Sequence, residues 1–167
     1  MKHLKSVNSF IFESDSKYIK NRNVSRPVYH VGGYKFDVLK NLPTWFSLEK
    51  KHSDDGWFKN MIDNTGEAYQ YKGRVIGKVG HIFDEDVEDL FKKYQIDSDD
   101  WMMSLIENPH PTDVLKLSGT KMLMTEGFVG LIYPDYDPTD WGSDLDALIV
   151  FEPKQSITNF KLINQYP

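Results

Sequence analysis

Asp144-Leu145-Asp146-Ala147-Leu148-Ile149-Val150-Phe151 is the stretch that decides how this chain folds. Ala147 to Phe151 is a short, wholly apolar run bounded by turn residues, the pattern of a central strand covered on both faces. Residues i and i+2 of a strand point the same way, so Asp144 and Asp146 share one side of an extended segment at its entrance. Carboxylates so placed border a cleft rather than bulk solvent. A central strand needs neighbours, and the chain offers several. Pro27 to Val31 reads as a strand ended by Gly32-Gly33, and Thr44 to Ser47 follows the breaker Pro43. Phe128 to Tyr133 reads as a strand after Gly127, the loop Pro134 to Ser143 leads into the apolar run, and Ile157 to Ile163 suits an edge strand.

Helices fall between these strands. Ser53 is a candidate cap for a helix whose Trp57, Phe58, Met61 and Ile62 recur at helical spacing and which closes at Asn64-Thr65-Gly66. From Ala68 to Phe83, aromatic and β-branched residues are interrupted by Gly73, Gly77 and Gly80, which predicts a hairpin with bulges. Asp84-Glu85-Asp86 opens a helix with Val87, Leu90, Phe91 and Tyr94 on one face and Lys92-Lys93 near its end, as the helix dipole favours. A second helix runs from Ser98 to Glu107 and stops at Asn108-Pro109, and a less regular one follows Thr112. The expected architecture is α+β, a mixed or antiparallel sheet with a helical insert over residues 84–125, preceded by an N-terminal arm over residues 1–26.

Composition narrows the function. A chain of 167 residues is one domain on size alone and buries enough surface to need no staples. It has no cysteine, which removes disulfides, a thiolate nucleophile and cysteine zinc sites, and fits a reducing cytosol. Acidic residues number 25 against 20 Lys and Arg, so bulk attraction to a phosphate backbone is disfavoured. No continuous hydrophobic segment suggests a leader or a membrane span, and the expectation is a soluble, unexported, cytoplasmic protein.

Three segments, Tyr29-His30-Val31-Gly32-Gly33, Trp45-Phe46-Ser47 and Asp144-Leu145-Asp146, together resemble the ADP-ribosyltransferase superfamily, in the same order along the chain. The closest likeness is to small mono-ADP-ribosyltransferase-like domains of phages and toxins, with a split sheet. The first segment resembles the family's aromatic-His-Gly strand, with Val31 intervening before Gly32. There the histidine bonds the adenosine ribose of NAD and nearby backbone grips the nicotinamide carboxamide. The second resembles both the Tyr-Phe-Ala strand of the histidine-type members and the serine-centred strand of the arginine-type members. Ser53 and Trp57 fall where the family places a carboxamide-binding serine and a second stacking aromatic, the aromatic displaced by one residue. The third is similar to the Glu-x-Glu before the fifth strand of arginine-directed members, with Asp in place of Glu.

The resemblance implies NAD as substrate and a host protein or nucleic acid as acceptor of ADP-ribose. In that chemistry Asp146 accepts from the ribose 2′-hydroxyl and stabilises the oxocarbenium-like sugar formed as nicotinamide departs. Asp144 orients or deprotonates the acceptor. Trp45 and Trp57 offer a flat slot, and Gly32, Gly33, Phe46, Ser47 and Ser53 complete the dinucleotide site beside Tyr29 and His30. No metal is required.

Each residue also has a plainer use. A histidine on a strand is more often a hydrogen-bonded structural group, Trp45 and Trp57 taken singly suit a core, Ser53 suits a helix cap, and the acids suit a solvated turn. A non-catalytic binding or inhibitory protein on the same fold is one alternative. A second is a metal-dependent loop, since Asp135, Asp137, Asp140, Asp144 and Asp146 crowd one segment, although Pro138 and the late glycine depart from an EF-hand.

Overall fold

A computed structural model of the chain describes residues 23–107, 110–134 and 146–167. The strands among them are β1 (Asn23–Gly32), β2 (Thr44–Ser47), β3 (Ala68–His81), β4 (Phe128–Pro134), β5 (Asp146–Val150) and β6 (Ile157–Tyr166). They form a mixed sheet in the order β1-β2-β5-β4-β3-β6, and an additional pairing of β1 with β3 closes β1, β2, β5, β4 and β3 into a five-stranded barrel. β3 and β4 run parallel, and the other pairs are antiparallel. The expected α+β mixture with a mixed sheet is present, but the sheet closes where a split one was expected. Among the described residues no helix is long and apolar enough to cross a membrane.

Alternation along the strands sorts side chains into two cores. Val28, Phe46, Val75, Ile132, Leu148 and Val150 fill the barrel interior. Ala147, Ile149, Phe151, Leu131 and Tyr133 face outward and are covered by the helical insert. The run that reads as apolar on both faces is therefore so because Leu148 and Val150 meet the interior while its alternate residues meet helices.

Between β2 and β3 the chain is helical over residues 50–65, here α1, with α-helical ends at Lys50–His52 and Lys59–Thr65 and a π-helical middle at Ser53–Phe58. Ser53 therefore does not cap this helix: the helical run already starts at Lys50, and Glu49 is the extended residue before it. Gly66, at φ 77°, ends it in the left-handed conformation, as the Asn64-Thr65-Gly66 turn suggests.

The insert contains α2 (Glu85–Lys93), α3 (Ser98–Glu107), α4 (Pro111–Val114) and α5 (Ser118–Thr125). Asp84 caps α2 by accepting from the Asp86 N–H at 3.3 Å, and Val87 and Phe91 are its buried face. Asp97 accepts from the N–H groups of Asp99 and Asp100 at 2.9 and 3.0 Å and starts α3. Trp101 of α3 donates its indole N–H to Thr120 of α5 at 3.0 Å, satisfying two polar groups inside the cover. A short α6 (Pro153–Ser156) turns the chain into β6.

Two expectations are corrected. Residues 68–83 do not form a hairpin: β3 is one strand of 14 residues in which Gly77 marks a change of neighbour rather than a turn. Its first half pairs with β6 up to Val75, its last residues pair with β4 from Lys78, and Gly77 sits between them at φ 135° beside a register shift. The N-terminal arm does not extend to residue 26, because Asn23 to Arg26 already pair with β3. Residues 1–22 and the acidic loop lie outside the described residues.

Barrel closure leaves no room at Gly130, where an added Cβ would sit 2.3 Å from the carbonyl oxygen of Ile149 on β5. Gly130→Ala is expected to cost about 1–3 kcal/mol of unfolding free energy, the scale of overpacking. Gly32→Ala, whose Cβ would meet nothing nearer than 3.6 Å, is expected to unfold near the wild-type midpoint. Chemical denaturation of the two variants checks the pair, and equal midpoints would contradict the register of β4 on β5.

Candidate functional site

β1 and β2 pair at Tyr29 with Ser47, and beyond that point a loop over residues 33–43 fills the space between them. His30 follows Tyr29 on β1 and points the same way as Val28, toward the interior at its open end. Its ring lies 5.6 Å from Phe36, 5.8 Å from Phe46 and 6.4 Å from Tyr71. Nδ1 of His30 is 2.9 Å from the carbonyl oxygen of Trp45. A carbonyl only accepts, so Nδ1 carries the proton and Nε2 is left as an acceptor, 3.6 Å from where a Cβ on Gly32 would sit. Burial pushes the imidazole pKa below its ordinary value of 6.5, against the opposing pull of the Trp45 carbonyl, and the ring is neutral at pH 7.

A cavity of about 240 Å³ opens at this end, with His30, Tyr34, Phe36, Lys40, Trp45 and Pro111 among the residues around it. Pro111 belongs to α4, whose Val114 is part of the outer core, so the cavity joins the barrel mouth to the helical cover. The loop over this mouth is pinned by Phe36, which stacks on Tyr71 at 4.5 Å and donates its N–H to Tyr71 Oη at 2.9 Å.

The sequence-derived site residues divide between two faces. His30 and Gly32 meet at the mouth, where the backbone carbonyl of Trp45 reaches His30, while the Trp45 ring packs against the outer core and Phe46 is fully buried in the interior core. Tyr29 alternates with His30 and points the other way. Ser53 accepts a 2.8 Å hydrogen bond from Gln70, and Gln70 alternates with Tyr71, so Ser53 lies on the face opposite His30. Trp57 packs against the outer core with its ring 5.5 Å from His52. Ser47 is buried and donates to the Glu49 carbonyl oxygen at 2.8 Å, closing the turn into α1. Gly33 faces Met61 and Thr65 of the same helix. Trp45 and Trp57 therefore do not bracket His30.

Asp146 opens β5, where its backbone pairs with Pro134, while Asp144 lies outside the described residues, as do Asp135, Asp137 and Asp140. Register places the Asp146 backbone one residue before Ala147, which pairs with Ser47. Two strand spacings and two residue steps separate it from His30, roughly 12 Å of sheet surface. Among the described residues, no group of three or more His, Asp or Glu is positioned to hold a metal ion.

Residues that sequence reasoning missed include Tyr34, Phe36 and Lys40 at the mouth, and Gln70. The Gln70 amide also donates to Asp54 at 2.6 Å, and its own carbonyl oxygen, fully buried, has no partner. Partial burial opposes ionisation of Asp54, yet hydrogen bonds from Lys50 and Gln70 hold its carboxyl below the ordinary range. The signal for Gln70 was present, as a lone amide between Tyr69 and Tyr71 on a strand otherwise rich in rings and branched residues. No family model matches the chain, no curated protein matches it, and no solved structure matches it.

Because folding lowers the His30 pKa, the unfolded chain binds this proton more readily, and stability is lost as pH falls below about 6.5. Denaturant midpoints measured from pH 7.5 down to 5.0 are expected to fall more steeply for wild type than for His30→Gln. Parallel curves for the two proteins would show that His30 is not buried as a neutral ring.

Proposed function

We propose that this chain is an NAD-dependent mono-ADP-ribosyltransferase acting on a host macromolecule, with an ADP-ribosyltransferase-like arrangement of its sheet. The observation that carries the reading is the adjacency of β1, β2 and β5. Tyr29-His30, Trp45-Phe46-Ser47 and Asp146 are more than 100 residues apart at their extremes, yet they lie on three neighbouring strands, and the fifth strand begins at Asp146. The fixed tautomer of His30 adds support, since Nε2 is an acceptor suited to a ribose hydroxyl.

In the proposed reaction the bond between the ribose C1′ and the nicotinamide nitrogen breaks, and nicotinamide leaves with the bonding pair. Asp146 stabilises the positive charge left on the sugar. The acceptor nucleophile forms the new bond to C1′ and loses a proton, which Asp144 receives. ADP-ribosyl acceptor, nicotinamide and one proton are the products. Compartment follows the acceptor, which on this reading is in the cytoplasm.

A second reading is favoured by Ser53 and Trp57, which are held away from the mouth by Gln70 and by the outer core. They leave His30 without the second ring and the serine that the family uses, which suits a non-catalytic binding or inhibitory module. Incubation of the chain with labelled NAD and bacterial lysate separates the two. The transferase is expected to label a defined protein or nucleic acid and release nicotinamide, and Asp146→Asn to lower that rate on the order of 100-fold, as for loss of one charge-stabilising group. Intact NAD and an unlabelled lysate would sink the transferase and leave the binding module.

A further inference from the structure

β1, β3 and β6 differ in charge from the rest of the chain. They carry Arg26, Lys72, Arg74, Lys78 and Lys161 and no Asp or Glu, although the whole sequence holds 25 acids against 20 Lys and Arg. Register gathers three of these cations on one face. Lys72 and Arg74 alternate with Val75 of the interior core, so both point outward, about 6.6 Å apart along the strand. Lys161 is the direct cross-strand partner of Lys72, and Thr158 that of Arg74.

A β-bulge makes this arrangement. Because Thr158 pairs with Arg74 and Lys161 with Lys72, Asn159 and Phe160 together oppose Gly73, and Asn159 adopts φ 53°. Three residues apart on a regular strand, Thr158 and Lys161 would point to opposite faces. The extra residue sets both on the outer face while Phe160 keeps its stack on Tyr71 at 4.9 Å. A lone lysine on β6 would suffice to discourage edge pairing. Setting it opposite Lys72 costs stability, because like charges directly across a sheet repel. Lys72 and Lys161 are exposed, and among the described residues no acid pairs with either of them or with Arg74.

Shape and chemistry narrow the partner. The face is an outer wall of the sheet and not a hollow, so a small molecule would bury little of itself there. Across β1 its rows continue into Tyr29, which is buried, and into Pro27 and Ser25, so no exposed ring stands beside the cations for a nucleic-acid base to stack on. Ile76, 46 % exposed, extends the line of Lys72 and Arg74 along β3 and offers an apolar contact. The acidic helix α2 belongs to the insert that covers β4 and β5, away from this face. A partner that wraps the molecule meets those acids, whereas a flat one meets the cations alone.

From this arrangement we infer that the outer face of β3 and β6 docks peripherally on an anionic lipid surface. Lys72, Arg74 and Lys161 lie against headgroup phosphates, and Ile76 enters the headgroup layer. The inference is independent of the transferase reading, since none of these side chains belongs to the proposed NAD site.

Cosedimentation of the whole chain with vesicles tests it, using pure phosphatidylcholine and phosphatidylcholine mixed with phosphatidylglycerol. Binding is expected on the anionic vesicles alone and is expected to fall as salt is raised. Lys72→Gln and Lys161→Gln are each expected to weaken it about fivefold, and the double variant about 25-fold, the scale of one cation apiece near a charged bilayer. Lys92→Gln on α2 is expected to bind as wild type. A thermal midpoint at or above wild type verifies that the lysine variants fold, because each relieves a repulsion. Equal partition onto neutral and anionic vesicles, no partition onto either, or wild-type binding by the double variant overturns the proposal. Lysine-dependent retention by duplex DNA without vesicle binding, or a dimer that Lys161→Gln dissolves, assigns the face to another partner and overturns it equally.

Discussion

The pairing of β1 with β3, continuous from Asn23 opposite Lys78 to Gly32 opposite Tyr69, is the constraint on which the rest of this molecule depends. Without it the sheet would be open, with β1 as an edge and no distinction between inner and outer rows. With it, Val28 and His30 look into the barrel while Tyr29 and Val31 look out. The same pairing draws β1 away from β2, which it meets at Tyr29 and Ser47 among the described residues. Where a ladder bond would otherwise continue, the side chain of His30 donates to the Trp45 carbonyl instead. That substitution satisfies a backbone acceptor, fixes an imidazole tautomer and leaves the gap that the loop over residues 33–43 partly fills.

Much of the fold was legible because its elements are strongly patterned. β2 at Thr44 to Ser47 and α3 at Ser98 to Glu107 occur as read, since Pro43 and the Asn108-Pro109 pair punctuate them unambiguously. β3 was misread because glycine serves two purposes. Gly73, Gly77 and Gly80 look like turn residues in isolation, yet Gly77 adopts its positive φ within a continuous strand that exchanges one neighbour for another. Only the positions of β4 and β6 reveal this, and they are distant in sequence. Ser53 was misread for a related reason: its capping preference is local, whereas the π-helical turn that contains it also docks against Gln70 across the sheet.

The site was legible by strand and not by face. Alternation already separates Tyr29 from His30 and Trp45 from Phe46, but it does not say which parity meets the interior until the barrel closes. Tyr34, Phe36 and Lys40 escaped notice because a loop has no period to amplify them. An aromatic pair two residues apart, directly after Gly32-Gly33, was the available clue. Asp146 was placed on the correct strand because the apolar run that follows it demands a central position.

Electrostatics joins the pocket to the rest of the surface. The chain carries a net charge of −5, which repels extended polyanions at long range. The loop over the mouth is a local exception, with Lys35 and Lys40 against Asp37. A polymer of phosphates experiences the whole acidic surface at once. A small anion at the rim meets Lys40 at short range, where screening weakens the more distant acidic groups.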